Sequence, residues 1–223
     1  MSKKKRKNAN YHNGSTAAVA APAPKLNRNT IIGIIVAAVV LIGVIVGIVA
    51  CNAKNDGPLY AEMDIAGYGK IIIELDPSEA PITVKNFVDL VEDGFYDGLT
   101  IFRAQEGFVI QGGKDDTANL TPIKGEFSDN GVKNNISHTR GVISMARTND
   151  PNSATSQFFI TLSDSAKYSL DGLYAGFGKV IEGMDVVDAI AEGLFDHAVD
   201  SMGFVSDADA ITITSIKMID YEK

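Results

Sequence analysis

The chain has 223 residues, 45% of them hydrophobic, and a formal net charge of −8, enough for one sizeable domain with an appended segment. The charge is unevenly shared: residues 1–29 hold seven Lys and Arg and no acid, so the remainder carries −15. A soluble part that acidic is poorly matched to nucleic acid, whose binding rests on phosphate neutralisation.

The first 29 residues combine this basic cluster with a polar, Ala/Pro-rich, aperiodic stretch, which reads as a disordered tail. Residues 30–51 follow as a candidate membrane anchor. Ile31 to Ala50 contains no charge, and twenty helical residues at about 1.5 Å each span a hydrocarbon core of about 30 Å. No polar positions recur at helical spacing, as they would in a core helix. Lysines precede the span and nothing comparable follows, which orients the tail to the cytoplasm and the bulk of the chain outside the cell membrane. Cys51 is the single cysteine, so the soluble part has neither a disulfide framework nor a cysteine zinc site. The sequence "IVAC" also resembles a bacterial lipobox. The alternative anchor is therefore a lipid on Cys51 after cleavage, although the apolar run is longer than an ordinary signal-peptide core. Residues 52–58 are a short tether.

Residues 59–223 read as one domain of short strands. "LYAEMDI" and "KIIIELD" flank "AGYG" as a hairpin. "APITVKNFVDLVEDG" predicts a helix, with Val84, Phe87, Val88 and Val91 on one face and Gly94 at its end. Two strands follow, "LTIFRA" and "GFVIQGG". The polar stretch from Lys114 to Asn135 reads as a long loop, placed after the second of these strands where it is positioned to set access. "GVISMAR", "SQFFITL" and "YAGFGKVI" are further strands. "GMDVVDAIAEG" predicts a second short helix with Met184, Val186, Val187, Ile190 and Ala191 inward, and "AITITSIKMID" closes the chain as a strand. Many short strands with two separated helices indicate an antiparallel barrel or sandwich.

Candidate chemistry is sparse. No metalloprotease, nucleophile-elbow or phosphate-loop motif is present. The three histidines, His12, His138 and His197, read as surface or structural residues, and no serine has a nucleophile context. No cofactor or metal is implied. Two strands stand out. Gln157 and Phe159 share one face by the strand period of two, as do Val109 and Gln111, with Phe108 adjacent. Arg103 lies on the neighbouring strand. A buried amide either satisfies local backbone or lines a site. Apolar groups beside amides and one guanidinium make the usual lining for a neutral, partly apolar ligand.

The motifs "FRAQEGFVIQGG", "GVISMAR", "SQFFITL" and "LDGLYAGFGKVIEGMDVVDAI", with the terminal "ITI", resemble the cyclophilin-type peptidyl-prolyl cis-trans isomerases, in the family's order and over Leu59 to Lys223. "MARTNDPNSATSQFFI" resembles the bacterial branch. The resemblance implies a mainly β fold, an eight-stranded antiparallel closed β-barrel capped by two α-helices, here preceded by one transmembrane helix. It implies isomerisation of X–Pro bonds without a cofactor, on unfolded or extended proline-containing polypeptides, in the folding of secreted or surface proteins. Arg103 matches the family's catalytic arginine and Gln111 the glutamine that orients it. Phe108, Val109, Phe159 and Leu170 match the proline pocket, Gln157 the second glutamine, and Ala146 and Arg147 the peptide-binding backbone. Tyr174 stands where many members have histidine, Phe102 where histidine often precedes the arginine, and Val109 where methionine is more usual. The chain has no tryptophan, so the resemblance does not extend to the one that binds cyclosporin in the family. A non-catalytic proline-peptide-binding or chaperone module on the same fold is the alternative function. The presence of Arg103 favours the enzyme.

Overall fold

The computed structural model describes residues 57–222. The basic tail, the expected membrane span, Cys51 and most of the tether lie outside the described residues. Among the described residues no helix is long and apolar enough to cross a membrane.

The first two expected strands form as read. Strands β1 (Leu59–Ile65) and β2 (Gly69–Leu75) pair antiparallel from Leu59 opposite Leu75 to Ile65 opposite Gly69. Alternation sends Ala61, Met63 and Ile65 of β1, with Ile71, Ile73 and Leu75 of β2, into the core. Helix α1 (Pro81–Glu92) follows. Its proline occupies the first turn, where a missing N–H costs nothing. Ala80 supplies no side-chain cap. The orphan N–H groups are bonded instead by Glu126, 43 and 44 positions along the chain: its carboxylate accepts from Ile82 N at 3.0 Å, Thr83 N at 2.8 Å and Thr83 Oγ1 at 2.7 Å. Part of the long loop is therefore a structural brace. Gly94, with φ of 68°, ends the helix in a Schellman turn: Phe95 N bonds Leu90 O and Gly94 N bonds Val91 O.

Strands β3 (Thr100–Gln105), β4 (Val109–Gly112), β5 (Val142–Met145), β6 (Phe158–Thr161), β7 (Ala175–Glu182) and β8 (Ile211–Ile219) complete a closed barrel in the order β1-β2-β7-β5-β6-β4-β3-β8. Every pairing is antiparallel, and the β1–β8 pair closes the circle, leaving no open edge. Helix α1 packs against β7 and β8 and inserts Phe87 among Tyr96, Phe158 and Phe177, with ring centroids 5.3–6.1 Å apart. Removing one such ring costs about 3–5 kcal/mol. Tyr96 is fully buried and its hydroxyl donates to Ser156 O at 2.9 Å. The second long helix, Met184–Phe195, packs against β2 and β3 and buries Val187, Ile190, Ala191 and Leu194, while Met184 and Val186 are only partly covered.

The expected pair of helices is thus joined by a third, short one, α2 (Lys167–Leu170), so the Met184–Phe195 helix is α3. A 3-10 turn over Asp164–Ala166, begun by Ser163 Oγ accepting from Ser165 N, leads directly into α2.

Candidate active site

The barrel wall has two faces, and the site lies on the outer one. On β6, Phe158 and Ile160 point into the main core. Phe159, between them, joins Val109, Ala166 and Leu170 in a separate apolar cluster, with Phe108, Ala146 and Tyr174 packed against it. Strand register sets the polar groups beside this cluster. Arg103 of β3 lies opposite Gln111 of β4, and Gln111 lies opposite Phe159 of β6. The β3–β4 pairing shifts between Ile101 and Arg103. Gly112 permits the close approach of the strands: a Cβ there would sit 2.5 Å from Ile101 Cδ1 and 2.8 Å from Thr100 O.

Arg103 is held on three sides. Nη1 donates to Gln111 Oε1 at 2.9 Å, Nη2 to Gln105 Oε1 at 2.7 Å, and Nε to the carbonyl of Met202 at 2.7 Å. The guanidinium carbon lies 5.3 Å from the centroid of the Phe204 ring. Gln111 Nε2 in turn donates to Gln157 Oε1 at 3.1 Å. One N–H remains on each terminal nitrogen of Arg103 for a ligand. Burial pushes the Arg103 pKa below its ordinary value, with the Asp200 carboxylate opposing the shift. The group is cationic throughout the neutral range.

A cavity of about 340 Å3 lies beside this guanidinium. Of the residues expected at the site, Arg103, Phe108, Val109, Gln111, Ala146, Arg147, Phe159, Leu170 and Tyr174 line it. Gln157 does not; it stands behind Gln111. Arg147 is fixed by Leu173 O at 2.9 Å and Thr148 O at 2.8 Å, and its guanidinium carbon lies 4.7 Å from the ring centroid of Tyr174 and 5.1 Å from that of Phe127. The N–H of Ala146 is already bonded to Gln157 O at 2.8 Å. A larger cavity of about 530 Å3, bounded by Leu59, Glu92 and Tyr221, includes none of the expected site residues.

Gln105, Met202 and Phe204 were not expected. The last two belong to the segment between α3 and β8, which lies along β3: Ala104 N bonds Gly203 O and Val205 N bonds Phe102 O. The Arg103–Phe204 bridge is a pairing across about 100 positions of sequence, and no local pattern announces it.

Behind Phe159 is a set that the sequence did not bring together. His138 Nδ1 lies 2.8 Å from Asp171 Oδ1, and His138 Nε2 lies 2.9 Å from Ser144 Oγ. With Asp171 ionised, the proton resides on Nδ1 and Nε2 accepts from Ser144. These distances match a hydrolytic relay. However, Ser144 is 0% exposed and His138 1%, and the imidazole stacks on Phe159 at 6.0 Å. A nucleophile needs access to its substrate, so this set braces the apolar wall. Burial lowers the His138 pKa from its ordinary value against the pull of Asp171. For Asp171 burial acts upward, but hydrogen bonds from His138 and Ser137 outweigh it and the net shift is down. Among the described residues no His, Cys, Asp or Glu cluster is able to hold a metal ion.

Residues 60–218 match the family described as cyclophilin type peptidyl-prolyl cis-trans isomerase/CLD. The chain belongs to this family. It is similar to peptidyl-prolyl cis-trans isomerase A of Dickeya dadantii, with 46% identity over 132 residues, 56% of this chain and 67% of the relative. Peptidyl-prolyl cis-trans isomerase B of Escherichia coli is 44% identical over 134 residues, 55% of this chain and 79% of that protein. Among solved structures, a cyclophilin type isomerase of Cryptosporidium parvum superposes with a TM-score of 0.62 at 26% identity, covering 74% of this chain and 99% of that one. The chain is a peptidyl-prolyl cis-trans isomerase.

Proposed function

We propose that the isomerase works through Arg103, with the cavity beside it as the proline socket. The observation that carries this reading is the guanidinium held by Gln111 and Gln105 next to an apolar pocket. Rotation about an X–Pro bond faces about 18–20 kcal/mol because the amide is resonance-stabilised. No bond is made or broken, so the protein has only to favour the twisted amide over both planar forms. As the amide twists, the prolyl nitrogen becomes pyramidal and gains a usable lone pair. Arg103 donates a hydrogen bond there or polarises the adjoining carbonyl. Phe108, Val109, Phe159 and Leu170 hold the ring while the preceding carbonyl turns. Tyr174 forms a further wall, edge-on to Phe159 at 5.4 Å. Ala146 and Arg147 flank the path of the polypeptide. A ten-thousandfold acceleration needs about 5.5 kcal/mol of differential stabilisation. A preorganised charged donor in a water-poor pocket is the right size of effect.

The substrates in this reading are extended, proline-containing segments of proteins folding outside the cell membrane. The charge-free span Ile31–Ala50 and the lysines before it support a single-pass anchor with a cytoplasmic N-terminus, and Cys51 is the lipid site in the alternative form. Proline-limited refolding assayed with full-length protein and with Arg103→Ala tests the site. Wild-type rates from the variant would refute it. Mass spectrometry of the native membrane form tests the anchor: an intact N-terminus excludes cleavage before Cys51.

A further inference from the structure

A second cavity adjoins the proline socket. Its volume is about 370 Å3, against about 340 Å3 for the socket, and Gln111 and Phe204 line both. One side chain on each strand segment therefore separates two spaces of similar size. The second cavity has an apolar wall and a charged rim. Phe102 and Phe204 stack with centroids 6.0 Å apart and planes 18° from parallel, with Val205 beside them. Among the described residues Lys114 is the one cation lining it, and Lys114 Nζ is occupied by Asp116 Oδ2 at 2.6 Å. Asp207, on the same rim, is exposed and has no hydrogen-bond or ion-pair partner for its carboxylate among the described residues.

An apolar wall leading to an unpaired carboxylate suits one class of side chain. The methylene stem of Arg or Lys lies along apolar surface while its charged head reaches a carboxylate. An acidic side chain would meet Asp207 as a like charge, and a short apolar one would leave the rim unused. Continuity with the socket identifies the occupant as another residue of the same polypeptide, since extended residues advance only about 3.3 Å each. We infer that this cavity is a second subsite of the isomerase, which takes a basic side chain close to the proline and so favours substrates with Lys or Arg near X–Pro bonds. The inference rests on the assignment of the proline socket given above.

The test uses the full-length protein and alanine-based peptides with one proline. Arg, Lys, Leu or Glu is placed singly at each of the two positions before and after it. Exchange spectroscopy gives kcat/KM for each. The expected result is that Arg and Lys raise kcat/KM about threefold over Ala at one position and that Glu lowers it, as befits a solvent-accessible ion pair. In Asp207→Asn the preference vanishes while the all-Ala peptide is turned over as by wild type. About 0.5 M salt weakens the preference in the wild type. Equal rates for Arg, Leu and Glu at every position overturn the subsite, as does a preference that survives Asp207→Asn or a preference for Leu over Arg. Failure of the socket assignment reads out separately, as an Arg103→Ala protein that turns over the all-Ala peptide at the wild-type rate.

Discussion

Arg103 and Gln111 face each other across the β3–β4 pair and are joined by a 2.9 Å hydrogen bond, so the charge is aimed by the strand register itself. Gln111 hands its other end to Gln157 at 3.1 Å, which fixes the amide orientation. Replacing Arg103 by Ala removes the positive charge that Gln111 and Gln105 hold beside the socket. The expected loss is about 10²–10³ in kcat/KM, the scale seen when a preorganised donor is deleted. Arg103→Lys recovers little, because a single ammonium is unable to meet three acceptors arranged around a planar fork. Exchange kinetics on a proline peptide check both, with thermal melts confirming that each variant is folded.

Gln105 holds the second terminal nitrogen of Arg103 at 2.7 Å. Gln105→Leu keeps an apolar stem one atom shorter and removes the acceptor. The guanidinium then has one fewer restraint. We expect kcat to fall about tenfold with KM little changed, since misorientation of a catalytic group by an ångström is costly while the apolar socket is intact. Gln105→Glu, which retains an acceptor at the same reach, restores most of the rate. A parallel rise in KM for Gln105→Leu would contradict a positioning role.

Acid should loosen the wall behind Phe159. His138 is almost fully buried between Asp171 and Ser144, and its pKa in the folded protein is lower than the ordinary 6.5. In the unfolded chain the imidazole takes its proton first, as pH falls past about 6.5. Protonation therefore favours unfolding, and the contribution present above that pH is lost as pH falls through the folded value. The lowered carboxyl of Asp171 adds a loss of the same sign, starting below its ordinary 3.8. Melting temperatures between pH 7.5 and 4.5 should decline, and the His138 part of that slope should be absent in His138→Leu. An unchanged slope in this variant would assign the acid sensitivity elsewhere.

Local patterns carried much of this fold. The β1–β2 hairpin follows from alternation on both sides of "AGYG", and α1 from apolar spacing ended by Gly94, which adopts the left-handed conformation expected of it. The outward pair Val109 and Gln111 is also a consequence of a two-residue period, whereas Gln157 precedes β6 and does not line the socket with Phe159. Barrel closure through β1 and β8 was legible only by family resemblance, because residues 59–65 and 211–219 meet across most of the domain. Glu126 as the cap of α1, and Met202 and Phe204 around Arg103, escaped for the same reason: each acts through a tertiary pairing, and the segment "DHAVDSMGFVSDADA" has no periodicity to mark it. Gln105 is different, since it lies two residues from Arg103 on β3 and was within reach of the two-residue strand period.

That segment yields a further prediction at Gly203. Its φ is 83°, and a Cβ there would lie 2.1 Å from Ala104 O and 2.7 Å from Ala104 C, both backbone atoms of β3. Neither the left-handed conformation nor the contact tolerates a side chain. Gly203→Ala should therefore push the segment away from β3 and break the bond between Ala104 N and Gly203 O, now 2.9 Å. Met202 O, which holds Arg103 Nε at 2.7 Å, moves with it. The strain is worth about 1–3 kcal/mol, and at about 2–4 °C per kcal/mol for a domain of this size the melting temperature should fall by several degrees. The fold itself should persist, because Gly203 is outside the apolar core. The sharper effect is on catalysis: kcat should fall well beyond the loss in stability, and the Arg103 Nε–H resonance should shift as its carbonyl partner is withdrawn. A Gly203→Ala protein with the wild-type rate and an unshifted Nε–H resonance would show that this segment does not position Arg103.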